Sequence, residues 1–258
     1  MMININKFDN QVEKIKNDAK NYEINVYQTL SVIKNMTQYW NDGYTKAFFR
    51  KVDQMLSDTN ETTDFIYNII SYLKIISSDY NITNYRRGRI FGYSDSTINS
   101  DHFIIYNGDD EETANKKSII SNSIIENENH IESVVFKLCK PNTQKMDFEN
   151  LDKDSIEQNE YVGMLGNMNN EIKQLEQKKQ DTVNASDKLN DSFAAIVDLY
   201  NSKNTKKINQ AISDVADSLY IINNNIEKAY EYVITRKEKY KSLFSDITAS
   251  TSTINDND

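Results

Sequence analysis

Few side chains in this sequence could carry out covalent or metal chemistry. The single cysteine, Cys139, could act as a nucleophile with either of the two histidines, His102 or His130, as its base. No catalytic signature flanks Cys139, and a lone cysteine beside an apolar run is more often part of a buried core. The three residues also lack the spacing of a metal-ligand set. We therefore expect no enzymatic activity, no metal site and no cofactor.

A basic cluster of Arg86, Arg87 and Arg89 could hold a phosphate group or contact an acidic partner. The alternative interpretation is a solvated basic loop that follows an acidic pair of helices. The whole chain has a net charge of −9 over 258 residues. This balance argues against nucleic-acid binding, because proteins that bind nucleic acids present a basic surface.

One repeating hydrophobic pattern dominates the segments that must position these residues. Residues spaced alternately four and three apart, mostly apolar, form a first series that continues after a turn: Phe8, Val12, Ile15, Ala19, Tyr22, Val26, Thr29, Ile33, Met36 and Trp40, then Phe48, Val52, Met55, Thr59, Thr62, Ile66, Ile69, Leu73, Ile76 and Tyr80. A second series repeats this register without a gap: Met168, Ile172, Leu175, Lys179, Thr182, Ser186, Leu189, Phe193, Ile196 and Tyr200, then Ile208, Ile212, Val215, Leu219, Ile222, Ile226, Ala229, Val233, Arg236 and Tyr240. We call these the seam residues.

Such spacing places every seam residue on one side of a helix, so each series predicts two long helices folded back on each other. The predicted helices span about 4–38, 44–80, 152–199 and 205–247. Two hairpins that each carry one apolar seam can bury both seams by docking face to face. The expected fold is all-α, an elongated four-helix bundle roughly 54 Å long at 1.5 Å per residue.

The predicted organisation has hairpin 1 at 1–80, an insert or connector at 81–150, hairpin 2 at 151–247 and a disordered polar tail at 248–258. The insert contains strand-like runs at 102–106 and 133–138, and Asn107-Gly108 favours a hairpin turn. It is interpreted as a small α/β cap or a partly disordered connector. Polar seam residues at Lys179, Ser186 and Arg236 either extend to solvent from the seam edge or mark a place that admits a partner.

The first turn, Tyr39-Trp40-Asn41-Asp42-Gly43-Tyr44 followed by Phe48, resembles the turn of the Trp-x-Gly (WXG) superfamily of helical-hairpin proteins handled by type VII secretion systems. The Trp-to-Gly spacing is one residue longer here, and the second turn, around Tyr200 and Asn201, matches by pattern alone. The resemblance implies hairpins that pair into four-helix assemblies. It also implies recognition residues in the two turns: Tyr39, Trp40, Asn41, Gly43, Phe48, Tyr200 and Asn201.

We expect a non-enzymatic protein associated with type VII secretion, either an exported substrate or a targeting partner of an effector, that docks on a protein partner through a helix face. A homodimer is also compatible with the pattern. The alternatives are an intracellular coiled-coil adaptor and a helical pore-forming protein with the insert as its tongue. No signal peptide and no apolar run of about 18 residues is present, so stable membrane insertion is not expected and export would follow a leaderless route from the cytoplasm.

Overall fold

The computed structural model describes residues 3–39, 43–92, 97–98, 105, 107–135, 140–151, 165–200 and 205–255 of the chain. This part is almost entirely helical, which confirms the all-α class. The helices are α1 (Ile5–Met36), α2 (Thr45–Phe91), α3 (Glu111–Val135), α4 (Leu165–Val197) and α5 (Thr205–Asn255), with a 3₁₀ turn at Thr37–Tyr39 after α1. Two short strands, β1 (Ile3–Asn4) and β2 (Thr97–Ile98), pair antiparallel.

The seam residues form the core. Within the described ranges, all of them are buried except Lys179 and Ile212, which are partly exposed. Burial of one apolar stripe per helix is the main stabilising contribution for helices of this length, because propensity alone contributes little. The four long helices predicted from the seam are therefore present, with ends that differ from the predicted boundaries.

The chain divides into two compact units, and each draws on all four seam helices. Unit 1 combines Met1–Tyr22, Thr62–Pro141 and Ala185–Ser218. The Ser192 hydroxyl donates to Asp18 Oδ2 at 2.6 Å, and Phe8 packs against Tyr200 with ring centroids 6.0 Å apart. α1 and α4 therefore run antiparallel in this unit.

Unit 2 combines Glu23–Glu61, Asn142–Asn184 and Leu219–Asp258. Lys178 Nζ donates to Gln28 Oε1 at 2.7 Å, which joins α4 to α1. Phe48 stacks on Tyr232, with ring centroids 5.1 Å apart, and this contact joins α2 to α5. Unit 2 is thus also a helical bundle.

The predicted end of the second helix is wrong. α2 continues past Tyr80 to Phe91, so the basic cluster at 86–89 lies on a helix and not in a loop. The helix stops at Gly92, whose φ of 76° is the left-handed conformation that glycine adopts at a helix C-terminus. The Gly92 N–H donates to the Gly88 carbonyl at 2.8 Å and closes the last turn.

The insert is more helical than the sequence predicted. The expected strand at 133–138 is wrong for Ser133–Val135, which form the end of α3, while 136–138 lie outside the described residues. Asn107-Gly108 is a turn, but it leads into this helix: the Asp110 carboxylate accepts the Thr113 N–H at 2.7 Å and caps α3. Of the run 102–106, only Ile105 is described, without regular structure.

The tail predicted to be disordered is helical as far as Asn255. No glycine or proline interrupts the stretch between Ile247 and Asn255, so nothing in the covalent chain stops the helix. No helix in the described ranges is both long and apolar enough to cross a bilayer.

Candidate functional site

The described residues of the first turn lie in unit 2. Tyr39 ends the 3₁₀ turn and is partly exposed, whereas Gly43 and Phe48 are buried. Trp40 and Asn41, which the sequence singled out, lie outside the described residues. The contacts that can be described for this region are therefore those of Tyr44 and Phe48, which follow the turn in the sequence.

Phe48 belongs to an aromatic cluster built from three separate segments. Its ring stacks on Tyr232 of α5 at an interplanar angle of 15°, and its centroid lies 5.7 Å from that of Phe148. Phe148 is also 6.5 Å from Tyr232 and is buried. Aromatic pairs of this geometry stabilise by about 0.5–1.5 kcal/mol beyond their buried area. The cluster fixes the start of α2 against α5.

Arg236 lies beside this cluster and is only 8% exposed. Its guanidinium carbon is 4.4 Å from the centroid of the Tyr44 ring and 5.3 Å from that of Tyr232. Its Nε also donates to the Tyr232 hydroxyl at 2.9 Å. Arg236 is therefore neither solvated nor repelled by the seam, because two aromatic rings and a hydroxyl surround its charge.

Phe148 is the last residue of an extended segment, residues 142–148, which we call the strap. The Gln144 N–H donates to Asp58 Oδ2 of α2 at 3.0 Å. On α5, the Asn225 side chain accepts the Met146 N–H at 2.9 Å and donates to the Gln144 carbonyl at 2.7 Å. The main chain of the strap is thus bound by side chains of α2 and α5.

Asp147 marks the end of the strap. Its carboxylate accepts hydrogen bonds from the Asn150 side chain at 2.9 Å and from the Glu149 N–H at 2.9 Å. These bonds, the side-chain bond from Asn150 first, hold the pKa of Asp147 below its ordinary value of 3.8. Asp147 thus closes a turn at Glu149 and Asn150, directly after the strap.

A cleft of about 450 Å³ opens in unit 2 next to Phe148. Its lining combines two aromatic rings with two lysines, two glutamates and a threonine: Phe148, Glu149, Lys228, Glu231, Tyr232, Thr235 and Lys239. Because both signs of charge and two apolar rings meet there, the cleft suits a polypeptide surface better than a single small ion.

The second turn behaves differently from the first. Tyr200 is 3% exposed and packs in unit 1 against Phe8 and Tyr80, with its centroid 6.3 Å from that of Tyr80. Burial raises the pKa of Tyr80, and its hydrogen bond to the Glu128 carboxylate raises it further. Burial likewise raises the pKa of the nearby Tyr72. Asn201 lies outside the described residues. Tyr200 is thus part of the core and not of an accessible surface.

The structure does not bring the three arginines to one surface. Arg87 is fully buried, whereas Arg86 and Arg89 are exposed. Arg86 donates to the Ser123 hydroxyl at 3.0 Å, and the Arg89 guanidinium lies 6.0 Å from the centroid of the Tyr85 ring. Arg86 and Arg89 are the members of this cluster that an acidic partner can reach.

Polar contacts attach α3 to the end of α2. Asn127 donates to the Thr83 hydroxyl at 2.8 Å, and Thr83 also meets Ser123 at 2.8 Å. His130 Nδ1 lies 2.7 Å from Asp79 Oδ2, so the one described histidine pairs with a carboxylate. Cys139 and His102 lie outside the described residues. Among the residues that are described, no three His, Cys, Asp or Glu side chains form a group that could hold a metal.

The other two polar seam residues are also accommodated. Lys179 forms an ion pair with Glu227, with 2.6 Å between Nζ and Oε2, and its ammonium lies 4.3 Å from the Tyr230 ring centroid. Ser186 is 2% exposed. Lys179 is thus paired at the edge of the seam, and Ser186 is enclosed in the core.

Sequence reasoning missed the residues that complete the first-turn region. Asn225 is a polar residue beside the seam position Ile226, and Phe148 belongs to the insert. One signal was present in the sequence: charged Lys145 and Asp147 alternate with apolar Met146 and Phe148, which is the period-two alternation of an extended segment. The alternation spans too few residues to indicate where the strap would bind.

Comparison of the chain with known protein families, with curated proteins and with solved structures gives no match in any of the three.

Proposed function

We propose that this protein is a non-enzymatic helical protein of the type VII secretion kind, which recognises a protein partner through the surface around its first turn. The observation that carries the proposal is the position of the cleft. Tyr232 lines the cleft and stacks on Phe48, at the start of the helix that follows the WXG-like turn. A partner in the cleft would lie close to that turn.

The seam itself is a poor docking surface, since its described residues are almost all buried inside the units. Binding by seam residues would require the bundle to open and expose many apolar side chains at once. The cleft, in contrast, presents exposed Glu231, Thr235 and Lys239 on one face of α5. We therefore infer that the partner binds the outer face of α5 and not an opened seam.

The proposal includes the arrangement that the WXG resemblance implies. The antiparallel contact of α1 with α4 supports two hairpins paired within one chain, as separate WXG-like chains pair in a dimer. Under this proposal the chain is either an exported substrate or a targeting partner of an effector, and it has no need of a second copy to cover its seams.

Export assays test the proposal. In a host with a type VII apparatus, we expect export of the wild-type chain to depend on the secretion ATPase. Trp40→Ala removes the indole side chain from the turn, and Thr235→Arg places a bulky charge in the cleft. Each variant should reduce export about tenfold, as loss of an interface hot spot does. Both variants should keep the helical circular dichroism of the wild type.

Ser213→Arg provides the matched control, because Ser213 is an exposed residue of α5 that does not line the cleft. It should leave export unchanged. ATPase-independent export, or folded Trp40→Ala and Thr235→Arg variants exported like the wild type, would contradict the proposal. A chain that stays in the cell would also contradict the proposal and would favour the intracellular coiled-coil adaptor.

A further inference from the structure

The strap is bound in the way that a protein binds a foreign extended peptide. The side chains of its last four residues alternate, with Met146 and Phe148 buried and Lys145 and Asp147 exposed. Side chains of α2 and α5 bind its main chain, through Asp58 and Asn225. In peptide-binding domains, main-chain hydrogen bonds provide affinity and pockets for alternate side chains provide selectivity. The groove between α2 and α5 in unit 2 has both properties.

Asn225 is the strongest evidence that the groove is built for a peptide main chain. Its side chain is 1% exposed and lies beside the apolar Ile226 and Ile222. A buried amide without partners is destabilising, so both its donor and its acceptor need hydrogen bonds. Both are satisfied by one stretch of main chain, the Gln144 carbonyl and the Met146 N–H. Any extended peptide offers the same pair of groups.

Selectivity comes from the two side chains that point inward. Phe148 packs against Phe48 and Tyr232 with tilted rings, and Met146 is 4% exposed. An aromatic residue two positions after a methionine therefore describes the peptide that the groove accepts. The adjoining cleft, which begins at Phe148, extends this surface toward Thr235 and Lys239.

We propose that the groove between α2 and α5 is a peptide-binding site, occupied in this chain by its own strap, and that extended peptides with a methionine and an aromatic residue at positions i and i+2 bind it in place of the strap. The strap is covalently attached, so it competes at an effective concentration in the millimolar range. A free peptide therefore binds well only when the strap is weakened. This inference is independent of export.

The test uses a fluorescently labelled peptide with the sequence of residues 140–150 and the full chain. In the Phe148→Ala and Met146→Ala variants the strap loses one anchor, and fluorescence anisotropy should show saturable binding about tenfold tighter than to the wild type, because the intramolecular competitor is weaker. A peptide with alanine at both anchor positions should not bind. Circular dichroism and thermal melting should show that both variants remain folded.

Asn225→Leu, added to either variant, should weaken peptide binding at least about tenfold, because it removes two hydrogen bonds to the peptide main chain. Asn223→Leu is the matched control, since Asn223 lies on the same helix and its side-chain oxygen makes no hydrogen bond with any residue that the structure describes. It should leave binding unchanged. The proposal is overturned if neither folded variant binds the peptide, if Asn225→Leu has no effect, or if both strap variants unfold, because the strap would then be an integral part of the core.

Discussion

The hydroxyl groups of Thr29 and Thr182 meet in the core of unit 2 at 2.9 Å and join α1 to α4. Each hydroxyl also reaches the carbonyl four residues earlier in its own helix, that of Asn25 at 2.9 Å for Thr29 and that of Lys178 at 3.0 Å for Thr182. Both threonines are fully buried. The pair is thus a polar contact between the two hairpins inside an apolar seam.

This pair should show coupled energetics. Thr29→Val and Thr182→Val should each lower the free energy of unfolding by about 1 kcal/mol, whereas the double variant should lose less than the sum, because each single variant already removes the same contact between the two hydroxyls. Urea unfolding of the wild type, the two single variants and the double variant measures the coupling free energy of this double-mutant cycle. Thr59→Val is the control, since its hydroxyl donates within its own helix to the Met55 carbonyl at 2.8 Å. Strict additivity in the cycle would show that the two hydroxyls do not interact.

A charge in either seam should be strongly destabilising. Ile66 and Ile226 occupy equivalent seam positions and are each 1% exposed. Ile66→Asp and Ile226→Asp should each lower the free energy of unfolding by roughly 3 kcal/mol or more, since a carboxylate is buried without a partner. Ile82→Asp provides the exposed control, because Ile82 is 50% exposed. If either seam variant unfolds with the free energy of the wild type, the buried position described for that isoleucine is wrong.

Arg236 should stabilise the bundle through its aromatic neighbours. Arg236→Ala should lower the free energy of unfolding by about 1–2 kcal/mol, because a partly desolvated cation loses its contact with the Tyr44 and Tyr232 rings. Arg236→Lys should recover only part of this, since an ammonium lacks the planar stacking of a guanidinium. Thermal melting at low and high salt checks the cause. A loss of stability that disappears at high salt would indicate ordinary surface electrostatics.

Stability should fall at alkaline pH because of the buried tyrosines of unit 1. Burial raises the pKa of Tyr80 and Tyr72, so in the folded state both stay protonated above the ordinary value of 10.0. In the unfolded chain they ionise near 10.0, so their contribution is complete below that pH and is lost as the pH rises above it. Tyr72→Phe should therefore flatten the decline of unfolding free energy between pH 9 and about 11. An unchanged slope would mean that Tyr72 ionises normally.

The seam was predictable because burial selects residue type at a helical period, and that selection remains visible even at polar positions such as Thr29 and Thr182. The attachment of α3 was not, because hydrogen bonds of Thr83, Ser123 and Asn127 hold it in addition to the buried Ile120 and Ile131. Such residues resemble solvent-exposed positions in a sequence. A polar interface leaves little hydrophobic periodicity to detect.

Only those residues of the first-turn site that belong to the seam could be predicted from the sequence. Phe48 is a seam residue, but its partners Phe148 and Tyr232 come from distant parts of the chain, and no local pattern connects them. Arg236 was recognised as an unusual seam residue, but its surroundings depend on how α5 faces Tyr44. Arg87 shows the same limit, since its burial could not be inferred from a run of basic residues.

Neither unit is a continuous stretch of chain, and this has a consequence for biosynthesis. Unit 1 needs residues from its first segment, Met1–Tyr22, through to Ser218, and unit 2 needs residues from Glu23 to beyond Leu219. Neither unit is therefore complete until the ribosome has begun to synthesise α5. One unit cannot fold fully while the other is still being made, unlike domains that are continuous in sequence. Hairpin 1 therefore keeps its apolar side uncovered until α4 and α5 have been synthesised.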